Sequence, residues 1–376
     1  MSPVPVGVAT AGDRAPAPPF SERHEALRAQ IREFVAGELR PHAGEWERAG
    51  WFPNEVFARM GELGLLGLKY PREYGGRGGD HLDDAVLSEE LSRCGSGGVA
   101  AGIGAHVSIA TPPVAQFGTD DQKERFLAPA IRGERIAALG ITEPGAGSDV
   151  AGIRTFARRV DGGYVVNGSK TFITNGVRAD FVVTAVKTTE EGGHHGLSFL
   201  ILERSMDGFE VSRKLEKLGW RASDTAELAF ADVFVPEENL LGGENRGFYL
   251  IMANFQWERL VMALGAVTSM EGVLERVAGS VRNRHAVAEM AVKLEASRCL
   301  TYHALRLFTG GQDALREVTE AKLLSQRAAY EVAEEAFRLT GGDLEIGRAM
   351  RDTRLGPIGG GTDEVMKEIL AKQLGL

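Results

Sequence analysis

Glu258 is the carboxylate whose surroundings most suggest chemistry. It lies in a segment with helical periodicity, and its neighbours on that helical face are largely apolar: Asn254, Phe255, Val261, Met262 and Gly265. The spacing therefore predicts a buried carboxylate, whose charged form is disfavoured by desolvation. A raised pKa suits a general base that works near neutral pH. The alternative is a structural carboxylate neutralised by a cation such as Arg259.

A second segment has the composition of a ligand-binding loop. Residues 141–155 read ITEPGAGSDVAGIRT and combine Pro, three Gly, Ser and Asp between apolar segments. Such a loop offers several backbone N–H groups and hydroxyls at one place, which could grip a polar planar ligand. The alternative is a plain irregular connection between a helix and a sheet.

Three kinds of segment must position these residues. After a tail rich in Pro, Ala and Gly (1–20), helical periodicity extends over 21–136, with Ser21 as the predicted N-cap of the first helix. Short apolar or alternating runs separated by Gly, Asn and Asp fill 137–241 and predict an antiparallel sandwich or barrel. Residues 242–376 are helical again. This order, without βαβ alternation, predicts an α+β fold and excludes a Rossmann fold.

The composition excludes several functional classes. A net charge of −9 argues against nucleic-acid binding, which needs clustered Lys and Arg. Apolar runs are too short to span a membrane, and the first residues lack the pattern of a signal peptide. Cys94 and Cys299 have no metal-ligand spacing, so no metal site is predicted. We expect both to be buried small apolar residues in a cytoplasmic protein.

Several motifs together resemble the acyl-CoA dehydrogenase family. They are ITEPGAGSD (141–149), VNGSKTFITNG (166–176), SDTAELAFADVFVPEENLLG (223–242), QWERLVMALGAV (256–267) and GGTDEVMKEILAK (360–372). They follow the family's order and cover nearly everything after the tail. The resemblance implies an N-terminal helical domain, a middle β-barrel-like domain and a C-terminal helical bundle.

The resemblance also implies an FAD site. By position, Thr142 and Ser148 correspond to loop residues that meet the flavin, while Phe172 and Thr174 correspond to residues that cover the ring and hydrogen-bond to it. An aromatic at position 172 suits stacking on a flat ring, and the alternative is an inward-facing strand residue. Further cofactor contacts are predicted at positions that keep the family's C-terminal pattern: Gly341, Gly342, Thr362 and Glu364.

The catalytic base is displaced from its usual position. Many members of the family place a Glu just before the Gly-Thr of the last motif, where this chain has Gly360. The isovaleryl and long-chain branches supply the Glu from an earlier helix, which corresponds to Glu258. The resemblance implies that Glu258 removes the α-proton while flavin N5 accepts a hydride, and that the Gly360 N–H polarises the thioester carbonyl. Ser148, Arg259 and Gly361 are predicted substrate contacts.

One element of the family is missing. An Arg-x-x-Phe-Gly sequence normally follows the base-carrying helix and holds the FAD pyrophosphate and adenine, but no such sequence follows Glu258 here. Arg282 or Arg284 could substitute as phosphate contacts. The alternative for both is a solvated helix face.

The resulting prediction is FAD-dependent dehydrogenation of a CoA or acyl-carrier-protein thioester to the trans-2-enoyl product, with an electron-transfer flavoprotein as acceptor. We expect a homodimer or homotetramer. Two alternatives are a subunit whose hetero-oligomeric partner completes the FAD site, and a flavin oxidase on the same fold. Moving the base to Glu258 is expected to free space near Gly360 for branched or longer acyl chains.

Overall fold

The computed structural model describes residues 19–189, 193–278 and 283–376, in which the chain order is helices, then a sheet, then helices. The α+β prediction is confirmed. The N-terminal α-helices are Glu22–Phe34 (α1), Ala43–Ala49 (α2), Glu55–Glu62 (α3), His81–Ser92 (α4), Gly97–Gly104 (α5), Thr111–Phe117 (α6), Asp120–Gln122 (α7) and Ala128–Ile131 (α8).

Local sequence explains where some of these helices begin. Ser21 caps α1 in a reciprocal arrangement with the His24 side chain, as its residue type predicts. Pro112 and Pro113 coincide with a change of helix type. A π-helix over Ala105–Ala110 leads into α6, whose first turn holds the prolines, where a missing N–H costs little.

The middle region is a mixed sheet rather than the predicted antiparallel one. Along the main path the strand order is β6-β7-β3-β2-β4-β5-β8, and β1 pairs with β4. Both β1 and β2 run parallel to β4, while the other pairings are antiparallel. The strands are Ala137–Gly140 (β1), Phe156–Val160 (β2), Gly163–Thr174 (β3), Phe181–Lys187 (β4), Leu197–Glu203 (β5), Phe209–Lys214 (β6), Thr225–Pro236 (β7) and Leu240–Leu241 (β8).

Strands β4 and β5 are buried on both faces, which explains their continuous apolar runs. Alternate residues of β4 point in opposite directions, as the two-residue period of a strand requires. Phe181 and Val183 pack in a cluster with helices α6 and α8 and with Leu250 and Ile251 from the C-terminal region, whereas Val182 and Val186 pack against the interior of the sheet domain. The sheet is thereby fixed between its own core and the helices.

The C-terminal region consists of long helices that pack on one another and on α4. Its helices are Gly247–Ala278 (α9), Arg284–Thr309 (α10), Leu315–Leu339 (α11), Leu344–Thr353 (α12) and Asp363–Gln373 (α13). The prediction of two buried cysteines holds for Cys94 but is wrong for Cys299, which is exposed on α10.

Candidate active site

Glu258, predicted to be a buried carboxylate, lies near the middle of α9 and is half-buried as a whole residue. Among the described residues its carboxylate has no hydrogen-bond or ion-pair partner. Burial raises the pKa of Glu258 to about 7, against the opposing effects of Arg259 and Lys322. A carboxyl group of this kind can accept a proton near neutral pH.

The helix that carries Glu258 is anchored through the preceding residue. The Trp257 indole N–H donates to Asp84 Oδ2 of α4 at 2.9 Å, and Asp84 is almost fully buried. Asp84 also pairs with Lys69 at 2.5 Å and accepts a hydrogen bond from Ser108 at 3.2 Å. Because these partners come from the N-terminal region, they fix α9 relative to the rest of the molecule.

Gly360 lies beside the Glu258 carboxylate, although 102 positions separate the two in sequence. A Cβ built on Gly360 would be 3.8 Å from Glu258 Oε1. The φ angles of Gly360 and Gly361, 63° and 96°, lie in the left-handed region that side chains rarely adopt. The tertiary structure therefore places the internal Glu next to the position where the resemblance puts the family's usual base.

The space next to Gly360 is not free, contrary to expectation. The same Cβ would lie only 2.5 Å from Sδ of Met262, which is one turn beyond Glu258 on α9. The sulfur of Met262 thus occupies the volume into which a side chain at position 360 would extend. Because Met is flexible, this packing can still adapt.

Two cations bind the carbonyl groups of this turn. Arg259, predicted to contact substrate, is buried, and its Nε donates to the Gly360 carbonyl at 3.3 Å. Lys322 of α11 is also buried and donates from Nζ to the Gly361 carbonyl at 2.6 Å. Burial lowers the pKa of Lys322 to about 8 and lowers the pKa of Arg259 as well. Neither cation forms an ion pair with Glu258, so the alternative of a neutralised structural carboxylate is not observed.

The loop between β1 and β2 is held by a buried ion pair that the sequence analysis missed. Lys170 Nζ contacts Glu143 at 2.7 Å and the Ile141 carbonyl at 3.1 Å. Glu143 also accepts backbone N–H groups from Arg154 and Thr155 at 2.5 and 3.0 Å. Burial opposes ionisation of Glu143, but Lys170 and these N–H groups leave its pKa below the usual value.

The two residues of this loop that are predicted to contact the flavin, Thr142 and Ser148, are at least partly accessible. Ser148 is exposed, and Thr142 is half-buried with its carbonyl accepting the Thr171 N–H at 2.8 Å. Ile141 packs in one apolar cluster with Leu250 and Ile251 of α9. The loop therefore lies against the helix that carries Glu258.

Phe172 is 68% exposed, which rules out the alternative of an inward-facing strand residue. Its φ of 60° is unusual for a bulky residue and falls within a shift of register between β3 and β7. Thr174, two residues on, is half-buried. An exposed aromatic face held in a sparsely populated conformation fits the platform that a flavin ring requires.

The other predicted cofactor contacts lie in two separate places, after the end of α11 and at the start of α13. Gly341 and Gly342 follow the end of α11, about 25 Å along the helix from Lys322, and a Cβ on Gly341 would meet open space. The Thr362 side chain caps α13 by accepting the Val365 N–H at 3.3 Å, and Glu364 is exposed.

Of the two arginines considered as phosphate contacts, one lies within the described residues. Arg284 is exposed at the first residue of α10, where a solvated helix face is sufficient to explain it. Arg282 lies outside the described residues.

Sequence comparison identifies the class of protein that carries this site. Models of the acyl-CoA dehydrogenase N-terminal, middle and C-terminal domains match residues 21–134, 138–233 and 245–375. The chain therefore belongs to the acyl-CoA dehydrogenase family, whose members are FAD-dependent oxidoreductases that act on CH–CH bonds.

Individual relatives agree with this assignment. The chain is 37% identical to the mitochondrial long-chain specific acyl-CoA dehydrogenase of Mus musculus, over 94% of this chain and 87% of the relative. It is 36% identical to the mitochondrial isovaleryl-CoA dehydrogenase of Solanum tuberosum, over 94% and 91%. A probable acyl-CoA dehydrogenase from Mycobacterium abscessus is 42% identical, with a TM-score of 0.91 over 95% of this chain and 100% of that structure.

In the part of the chain that the structure describes, every helix is too short or too polar to cross a membrane.

Proposed function

We propose that this protein oxidises an acyl thioester to the trans-2-enoyl thioester, with Glu258 as the base that removes the α-proton. The observation that carries the proposal is the position of the Glu258 carboxylate, which is unpaired among the described residues and adjacent to Gly360. With a pKa of about 7, its ionised and protonated forms have similar free energies near neutral pH, so it can be ionised before the reaction and protonated afterwards.

The backbone of the turn supplies the second catalytic group. In the proposal, the Gly360 N–H donates to the thioester carbonyl and stabilises the enolate-like charge that develops as Glu258 takes the proton. Arg259 and Lys322 support this turn from the carbonyl side. The residues proposed to hold FAD are Thr142, Ser148, Phe172 and Thr174 at the flavin, and Gly341, Gly342, Thr362 and Glu364 elsewhere. FAD, when bound, supplies the hydride acceptor for the β-carbon.

Substrate and partners follow from the same proposal. Relatives that act on isovaleryl-CoA and long-chain acyl-CoA support a CoA thioester, with an acyl-carrier-protein thioester as the other class to test. An electron-transfer flavoprotein is the proposed acceptor, and a homodimer or homotetramer in the cytoplasm is the proposed form.

Anaerobic reduction of the flavin tests the function directly. The purified protein should carry FAD, and its visible absorbance should bleach when isovaleryl-CoA, palmitoyl-CoA or a matching carrier-protein thioester is added. Glu258→Gln should bind FAD and thioester but fail to bleach. Glu275→Gln, at an exposed position on the same helix, is the matched control and should behave like the wild type.

Two outcomes would contradict the proposal. Bleaching that persists in Glu258→Gln would remove Glu258 as the base. A chain that takes up no added FAD would instead favour a hetero-oligomer whose partner completes the cofactor site, which the missing Arg-x-x-Phe-Gly sequence motivates. Peroxide formation without an added acceptor would indicate an oxidase.

A further inference from the structure

Lys322 is a fully buried ammonium with a single hydrogen-bond partner. Its Nζ donates to the Gly361 carbonyl at 2.6 Å, and this is its one hydrogen bond among the described residues. An ammonium has three donors, and burying a charge with so little compensation is costly. The residue therefore calls for an explanation beyond packing.

The helical face around Lys322 does not need a charge. Its neighbours three and four positions away on α11 are buried and uncharged: Val318, Thr319, Ser325 and Gln326. A Met of similar length could fill this space without losing hydration energy, and replacing buried charges by apolar groups is often stabilising. We therefore expect the positive charge of Lys322 to act on a charged group close to it.

Among the described residues, the charged groups that face Lys322 come from its own helix, from α9 and from the start of α13. Asp363, Arg259, Glu258 and Arg327 interact with it electrostatically, in that order of strength. Asp363, the strongest of these interactions, is also paired through Oδ2 with Arg327 at 2.6 Å, while its buried Oδ1 has no hydrogen-bond partner. The groups that face Glu258 are Arg259 on its own helix and Lys322 on α11. The carboxylate of Glu258, which has no ion pair, is thus the one active-site anion among the described residues on which both cations act electrostatically.

We propose that Lys322 is a positioning residue for the reaction: its ammonium fixes the Gly360–Gly361 turn and supplies the positive charge against which Glu258 ionises. This inference rests on the proposed role of Glu258 as the base. It extends that role by assigning the pH range of the base to a residue 64 positions away on another helix.

The sign of the expected effect follows from the charges. Lys322 favours the ionised form of Glu258 and so holds the pKa of Glu258 below the value that burial alone would set. Removing the charge should raise that pKa, by about one unit for a nearby opposite charge. Lys322 can lower the pKa of Glu258 only below about pH 8, because Lys322 itself loses its proton near that pH.

Three variants separate charge from packing. Lys322→Arg keeps the charge, Lys322→Gln keeps a donor without charge, and Lys322→Met keeps only the length. The rate of anaerobic flavin reduction would be measured from pH 5.5 to about pH 9 with isovaleryl-CoA or palmitoyl-CoA, whichever reduces the wild type. The acid limb should move up by about one unit in Lys322→Gln and Lys322→Met, a loss of about tenfold at pH 6, while Lys322→Arg keeps the wild-type midpoint. A lower plateau with an unchanged midpoint in the neutral variants would overturn the proposal.

A second measurement needs neither cofactor nor substrate. Thermal unfolding midpoints of the wild type, Lys322→Met, Glu258→Gln and the double variant form a cycle at pH 5 and pH 7.5. At pH 7.5, Lys322→Met should lower the unfolding midpoint more when Glu258 is present than in the Glu258→Gln background. The difference should vanish at pH 5, where Glu258 is protonated. Equal effects in both backgrounds at pH 7.5 would refute the coupling, whereas an inactive wild type would refute only the proposed function.

Discussion

Glu258→Gln should stabilise the free protein, and the gain should appear only as the pH rises. Burial raises the pKa of Glu258 from 4.5 to about 7, so the folded state binds this proton more tightly than the unfolded state does. Between these values the unfolded state carries fewer protons, and wild-type stability falls with increasing pH. A glutamine does not titrate, so the variant escapes this loss.

The size of the effect can be worked out from the shift. A change in the pKa from 4.5 to about 7, at about 1.36 kcal/mol for each pH unit, gives a stability gain of at most about 3 kcal/mol above pH 7 and almost none below pH 4.5. With an unfolding entropy of about 2.1 cal/mol/K per residue, a chain of this length gains roughly 1.3 °C per kcal/mol, or about 4 °C at most.

Differential scanning calorimetry at pH 5 and pH 8 measures this difference. Glu275→Gln, at the exposed position on α9, should leave the unfolding midpoint within about 1 °C at both values, since surface changes usually cost little. A Glu258→Gln gain that is equal at both pH values would refute the reasoning, because it would come from packing and not from ionisation. A loss of stability at pH 8 would mean that the carboxylate has partners in the folded protein.

Three further predictions concern the turn and the flavin-facing surface. Gly360→Ala should lower the free energy of unfolding in urea by about 1–2 kcal/mol for the left-handed φ alone, and adding Met262→Ala should relieve only the contact with the sulfur. Lys170→Met leaves Glu143 buried without its cation, so it should cost about 3–5 kcal/mol and weaken FAD binding measured by flavin fluorescence; the double change with Glu143→Gln should cost less. Phe172→Ala should change stability by less than about 0.5 kcal/mol because the ring is exposed, yet lower the flavin-to-protein ratio, and an unchanged ratio would contradict the stacking role.

Local sequence was sufficient wherever the determining interactions span a few residues. The cap at Ser21 depends on groups three positions apart. The continuous apolar composition of β4 and β5 predicts buried strands, which the structure shows. Glu258 could be singled out because its helical neighbours are apolar, and the direction of its pKa shift follows from that setting.

Tertiary structure decided how distant segments meet. Nothing in the sequence says that Met262 occupies the space beside Gly360, or that Lys322 binds the Gly361 carbonyl, since these contacts depend on how α9, α11 and the last turn pack. A single cation among uncharged helical neighbours was a visible signal for Lys322, but its partner was not. The parallel pairing of β1 and β2 with β4 and the exposure of Cys299 were likewise set by packing. Sequence periodicity gives which face of an element is apolar, while the three-dimensional arrangement alone gives what that face meets.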